Sequence, residues 1–167
     1  MIQAARDLAR RLEYAIAFQT GDAGALPFGR EVFEGIIFGF NGLMQIPSAA
    51  ARCRVLTEIY QALKPGGYFI FTTHDCSSPL HEAFRDAELD RLQTQHGWEP
   101  PEPGDILADT PYGSVYLHIP MVEQTRAALT QTGFRIASTA LRSAIAEETP
   151  QVYAFADECR FWIAQRL

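Results

Sequence analysis

A base, an acid and a thiol stand in consecutive positions at His74-Asp75-Cys76. Such a trio suits nucleophilic or proton-transfer chemistry, or metal binding. It follows a strand-like apolar run, however, and successive side chains on extended backbone point to opposite sides. The three therefore do not converge on one atom; His74 and Asp75 are the candidates for handling a proton, and Cys76 is a bystander. His81, His96 and His118 share neither the i, i+4 nor the H-x-E spacing of metal ligands, so no metal site is expected. Two turns add polar groups of interest, Gly21-Asp22-Ala23 and Phe40-Asn41-Gly42. Aspartate bends loops and Asn-Gly makes turns anywhere, so each has a plain structural reading beside a chemical one.

The elements that must position these residues can be read from periodicity. Ile2, Ala5, Leu8, Ala9 and Leu12 line one stripe of a helix. Tyr14 to Gln19 reads as a short strand closed by Gly21-Asp22. Val32 to Phe40 is a nearly continuous apolar run, of the kind covered on both faces in a parallel sheet. Ser48 is placed to cap a helix whose buried stripe is Cys53, Leu56, Ile59, Tyr60 and Leu63, and Lys64-Pro65-Gly66-Gly67 stops that helix before a strand over Tyr68 to Thr73. A charged helix over Pro79 to Gln95 and a proline-rich stretch around Trp98 to Gly104 follow, too short to bury a core of their own. Then come an extended piece over Val115 to Ile119, a helix from Pro120 to Gly133, and strands over Phe134 to Leu141 and Phe161 to Ala164. Arg142, Glu147 and Glu148 read as a surface loop. Alternating helices and strands predict an α/β sheet with crossover helices.

Composition narrows the function. At 167 residues with 47% hydrophobic positions the chain suits one domain, 1–167, with 77–119 as a lid-like insertion. The net charge of -6 comes with no basic run to meet a row of phosphates, so nucleic acid is not an expected partner. No apolar stretch is long enough to span a bilayer. Three cysteines without a C-x-x-C pair suggest a reducing, cytoplasmic setting. The tyrosines Tyr112 and Tyr116, with Trp98, suit a substrate pocket or simple packing of the insertion.

Four stretches in order, Gly21-Asp22-Ala23 with Leu26-Pro27-Phe28, Phe33-Glu34-Gly35-Ile36-Ile37, Leu63-Lys64-Pro65-Gly66-Gly67 before a strand, and Gly133-Phe134 after a helix, resemble the class I S-adenosylmethionine (SAM) dependent methyltransferases. The resemblance implies a doubly wound, Rossmann-like sheet with the cofactor across the carboxyl ends of its strands. By that resemblance Asp22 and Ala23 match the acidic turn that meets the adenine. Phe40, Asn41 and Gly42 match the turn against the methionine part, and His74 and Asp75 face a small-molecule acceptor as candidate catalytic groups. Methyl transfer rests mostly on positioning, with a base required only for a protonated nucleophile.

The family's glycine-rich first turn has no counterpart here, and the similarity starts at Met1 with the helix that follows the second strand. The expectation is thus an incomplete doubly wound sheet without its first β-α-β unit, with remaining strand order 4-5-7-6 and an orphan strand 3. Val32 to Phe40 then becomes an open apolar edge, which favours a homodimer or strand-swapped dimer. SAM binding is expected to be weak or lost, leaving the chain inactive or partner-dependent. The alternative of a different class is a non-catalytic interaction module derived from such an enzyme. A nicotinamide enzyme is the weakest alternative, since no G-x-G-x-x-G is present.

Overall fold

The structure is a computed structural model that describes residues 2–74, 86, 87, 90, 101–110, 113–155 and 158–167, save for the side chains of 108–110 and 153–155. Asp75, Cys76, His81, His96, Trp98, Tyr112 and the proline-rich run before Pro101 lie outside the described residues. Of the helix read over Pro79 to Gln95, Asp86, Ala87 and Asp90 are described, and they are helical.

Helix α1 spans Ile2–Arg11. Its stripe is amphipathic, yet only Ala9 is buried, while Leu8 and Leu12 are exposed. The strand expected over Tyr14 to Gln19 does not form. Among the described residues no strand neighbours it, so its amides have no ladder to join; the segment is irregular, tied to α1 by Arg6, which donates to the Phe18 carbonyl at 2.9 Å.

Strand β1, Phe33–Phe38, leads through a 3-10 turn at Gly42–Gln45 into α2, Ala49–Ala62. Ser48 caps α2 as its residue type predicts, its hydroxyl accepting from the Ala51 amide at 3.3 Å. The buried stripe is Val55, Leu56, Ile59 and Ala62. Cys53, expected among them, is exposed, because it borders a cavity between helices.

Strand β2, Leu63–His74, pairs parallel with β1. Phe33 faces Leu63 but Gly35 faces Tyr68, so Lys64 to Gly67 bulges out of the ladder. Gly66 takes φ +81 there, the left-handed region that a residue with a Cβ avoids. Lys64 ion-pairs with Glu34 across the bulge.

Hairpin β3, Asp105–Thr110, and β4, Gly113–His118, form a separate two-stranded sheet. Helix α3, Val122–Thr132, ends at Gly133 and feeds β5, Phe134–Leu141. Two short helices, α4, Arg142–Ile145, and α5, Pro150–Phe155, precede β6, Cys159–Arg166. Arg142, expected on a surface loop, is instead largely buried with its Nε 3.0 Å from Glu148, where the short helix folds back.

The main sheet has the order β1-β2-β6-β5, with β6 antiparallel to both neighbours. This is the 4-5-7-6 order implied by the resemblance. Phe69, Phe71, Trp162, Ala164 and Phe134 form one face and are buried beneath α2 and α3. Phe71 stacks on Trp162, whose Nε1 donates to Thr73 Oγ1 at 3.0 Å. The other face is open: Ile37 is 75% exposed and Tyr68 43%. The apolar run over Val32 to Phe40 is therefore an edge strand covered on one face, not a central strand covered on two.

Arg166 locks the end of α2 to the sheet. Its guanidinium donates to the carbonyls of Tyr60 at 3.1 Å, Gln61 at 3.2 Å and Leu63, groups that a helix end leaves without partners.

Candidate functional site

The two turns singled out by sequence leave the fold at different places. Asp22 is exposed and bends its own loop: its Oδ1 accepts from the Gly24 amide at 2.8 Å, and Asp22 bridges Ala25. Ala23 and Leu26 pack against the core, and the Leu26 amide donates to Glu58 of α2 at 3.0 Å. The Asp22 loop is thus seated on the sheet's margin with its carboxylate facing out.

The second turn sits at the carboxyl end of β1. Phe40 and Asn41 both adopt left-handed backbone, φ 56 and 52, an uncommon state for a bulky residue such as Phe40, which is 98% exposed. Gly42 is required by a close approach, since a Cβ there would lie 2.2 Å from the Phe38 ring. The turn aims Asn41 at the end of β2. Thr72 Oγ1 donates to Asn41 Oδ1, and Asn41 Nδ2 lies 3.4 Å from His74 Nε2. The His74 amide donates to the Met44 sulfur at 3.1 Å. Register places Thr72 and His74 on the open face of the sheet, together with Ile70. Asn41 and His74, selected separately from sequence, therefore meet; Asp22 is not among their contacts.

A third cluster was not legible from spacing. Hairpin β3–β4 brings Asp105 and His118 opposite one another, and both are buried. His118 Nδ1 lies 2.7 Å from Asp105 Oδ1; a carboxylate only accepts, so Nδ1 carries the proton. Tyr116 donates to the same oxygen at 2.6 Å, and the Glu102 amide to the other at 3.0 Å. Glu102 accepts from the Ala49 amide at 2.7 Å, at the start of α2, and pairs with Arg52. That amide bond, with Arg52, holds the Glu102 carboxyl below its ordinary range. Desolvation, then the bond to Asp105, pushes the Tyr116 phenol up to about 12. Desolvation also lowers the His118 pKa, outweighing the bond to Asp105.

Ligand atoms of Glu102, Asp105 and His118 lie within 4.8 Å of one another, close enough to gather a metal ion. The carboxylate oxygens already accept from protein donors, so the chemistry of this set is that of a clamp holding the hairpin on α2. The signal that could have found it is the pairing of Asp105 with His118 across a hairpin, visible only once Val115 to Ile119 had been given a partner strand.

Beside the clamp, α2 and α3 flank a half-open cavity of about 370 Å³. None of Asp22, Ala23, Phe40, Asn41, Gly42 or His74 lines it.

A sequence profile of a family described as methyltransferase domain matches residues 1–109, about two thirds of the chain. The chain belongs to this methyltransferase-domain family. A demethylmenaquinone methyltransferase from Symbiobacterium thermophilum is 42% identical over 55 residues, which cover 33% of the chain and 20% of that protein. The match thus spans one fifth of its relative's length. A SAM-dependent methyltransferase from Methanosarcina mazei superposes with a TM-score of 0.76 at 20% identity, over 99% of this chain and 77% of that one. The 1,6-didemethyltoxoflavin-N1-methyltransferase of Burkholderia thailandensis, solved with S-adenosylhomocysteine, gives 0.59 at 13% identity, over 97% of this chain and 56% of that one. At such identities these two establish the shared fold. In this methyltransferase-domain chain no helix among the described residues is long and apolar enough to cross a membrane.

Proposed function

We propose that this chain supplies the methionine side and the acceptor side of a SAM-dependent methyltransferase acting on a small molecule. The observation that carries the reading is the meeting of Asn41 with Thr72 and His74 at the carboxyl ends of two adjacent parallel strands, the position where such sheets bind ligands. A strained, glycine-dependent turn that presents a side-chain amide, rather than packing it away, fits the polar amino-acid end of the cofactor. Asn41 and Gly42 would hold that end, with Phe40 against it, and Asp22 with Ala23 would meet the adenine. When bound, SAM supplies an electrophilic methyl group on a positively charged sulfur. His74 would serve as the proton acceptor for the nucleophile, with Asp75 the next residue in the sequence. Residues 77–119 act as a lid-like insertion in a single domain; of these, Ile106 and Ile119 pack with Met44 of the 3-10 turn.

These 167 residues alone bind SAM weakly and are inactive or dependent on a partner. Two features support this: the sequence has no glycine-rich strand-turn-helix, and among the described residues no strand pairs with the outer edge of β1 and Ile37 is left exposed. The second reading, an interaction module, is favoured by the same open edge, which suits a second copy of the chain in a homodimer or strand-swapped dimer. Free thiols at Cys53 and Cys159 suit a cytoplasmic location.

The test is an NMR titration of the labelled chain with S-adenosylhomocysteine at millimolar concentration. Amide shifts concentrated at Asn41, Gly42, Thr72 and His74 support the reading. Shifts elsewhere, or none, count against it.

A further inference from the structure

The cavity between α2 and α3 has walls of Leu43, Leu56, Phe71 and Leu129 and a polar end formed by His118 and Arg52. At about 370 Å³ it is of the size of ordinary small-molecule sites, and a dry apolar cavity of less than half that volume suffices for benzene. Its polar end is unusual in having its charges already matched. The Arg52 guanidinium is committed to Glu102, to the Ile46 carbonyl at 3.1 Å and to Tyr116, so it does not select an anion. Glu102 is held by Arg52 and the start of α2, so it does not select a cation.

Beside that matched pair the polar lining is His118, Gln124, Thr125 and Gln131, and of these the His118 ring is fixed in direction by a buried partner. Asp105 takes the Nδ1 proton of His118, which leaves the Nε2 lone pair, and Nε2 has no hydrogen-bond partner among the described residues. Burial keeps the ring neutral near pH 7, so the lone pair is available. His118 is 5% exposed and lines the cavity, so its Nε2 can take a donor from a bound ligand.

We propose that this cavity binds a small, largely apolar molecule of the phenol or enol class, its hydroxyl donating to Nε2 of His118. The site is distinct from the Asn41 turn, and the proposal stands or falls independently of methyl transfer.

Phenol and toluene, close in shape and differing in the hydroxyl, are the probes. Both are titrated into the full chain by NMR, with long-range proton–nitrogen spectra reporting the His118 ring. Saturable phenol binding is expected, with a shift of Nε2 that toluene does not reproduce. The ratio of toluene Kd to phenol Kd is expected to fall about tenfold in His118→Leu, the worth of one neutral hydrogen bond. Cys53→Trp, at an exposed helix position on the cavity wall, is expected to block both probes without unfolding the chain. The proposal is overturned if phenol fails to bind saturably, if Nε2 does not move at saturation, or if Cys53→Trp leaves binding intact. The ring-nitrogen readout on the native chain keeps the test decisive even where His118→Leu loosens the hairpin.

Discussion

His118 Nδ1 and Asp105 Oδ1, 2.7 Å apart and both buried, close hairpin β3–β4 onto the start of α2. Arg52, Glu102, Asp105 and Tyr116 are the charged and titratable groups around the ring, and desolvation is the leading cause of its lowered pKa. The unfolded chain therefore binds a proton that the folded chain resists. Stability contributed by neutral His118 is present above the unfolded value of about 6.5 and is lost as pH falls from there toward the lowered folded value. Thermal unfolding is expected to show a lower Tm at pH 5.5 than at pH 7.5. His118→Gln, which does not titrate, is expected to flatten that difference; an unchanged pH slope would contradict the assignment.

Trp162 is fully buried, stacks on Phe71, and donates to Thr73. Trp162→Ala removes the largest side chain at the centre of the covered face and leaves Thr73 without that partner. A loss of about 3–5 kcal/mol is expected, read as a lower urea midpoint. A loss below about 1 kcal/mol would mean that this face is not the core.

The main sheet was legible in the sequence because its signals are local. Ser48 caps where it stands, Gly133 ends its helix, and Phe134 to Leu141 alternates as strands do. The strand order followed from the resemblance rather than from any local pattern. Tyr14 to Gln19 failed as a strand because apolar propensity cannot supply missing ladder partners. Of the site, the Asn41 turn was readable as an Asn-Gly dipeptide, but its contact with His74 depends on the pairing of β1 with β2. The Asp105–His118 clamp joins residues 13 apart through a hairpin whose partner strand carried no sequence signal of its own, so it surfaced only in three dimensions.

Ile37 is the exposed large apolar residue of β1, 75% exposed on the side of the sheet that α2 and α3 leave open. If a second copy covers this surface, Ile37→Lys places a charge against it and blunts pairing. Sedimentation equilibrium is expected to show a dimer for the native chain and a monomer for Ile37→Lys, with the urea midpoint at low concentration changed by less than about 0.5 kcal/mol. A native mass that stays monomeric at every concentration would contradict dimerisation through this face.

Isothermal titration of the 167-residue chain with SAM bears most directly on the claim that the Asn41 turn is one half of a cofactor site. The expected result is binding near 1 mM or weaker, at about 4 kcal/mol, abolished by Asn41→Ala. A saturating one-to-one isotherm at micromolar concentration, unaffected by Asn41→Ala, would contradict it.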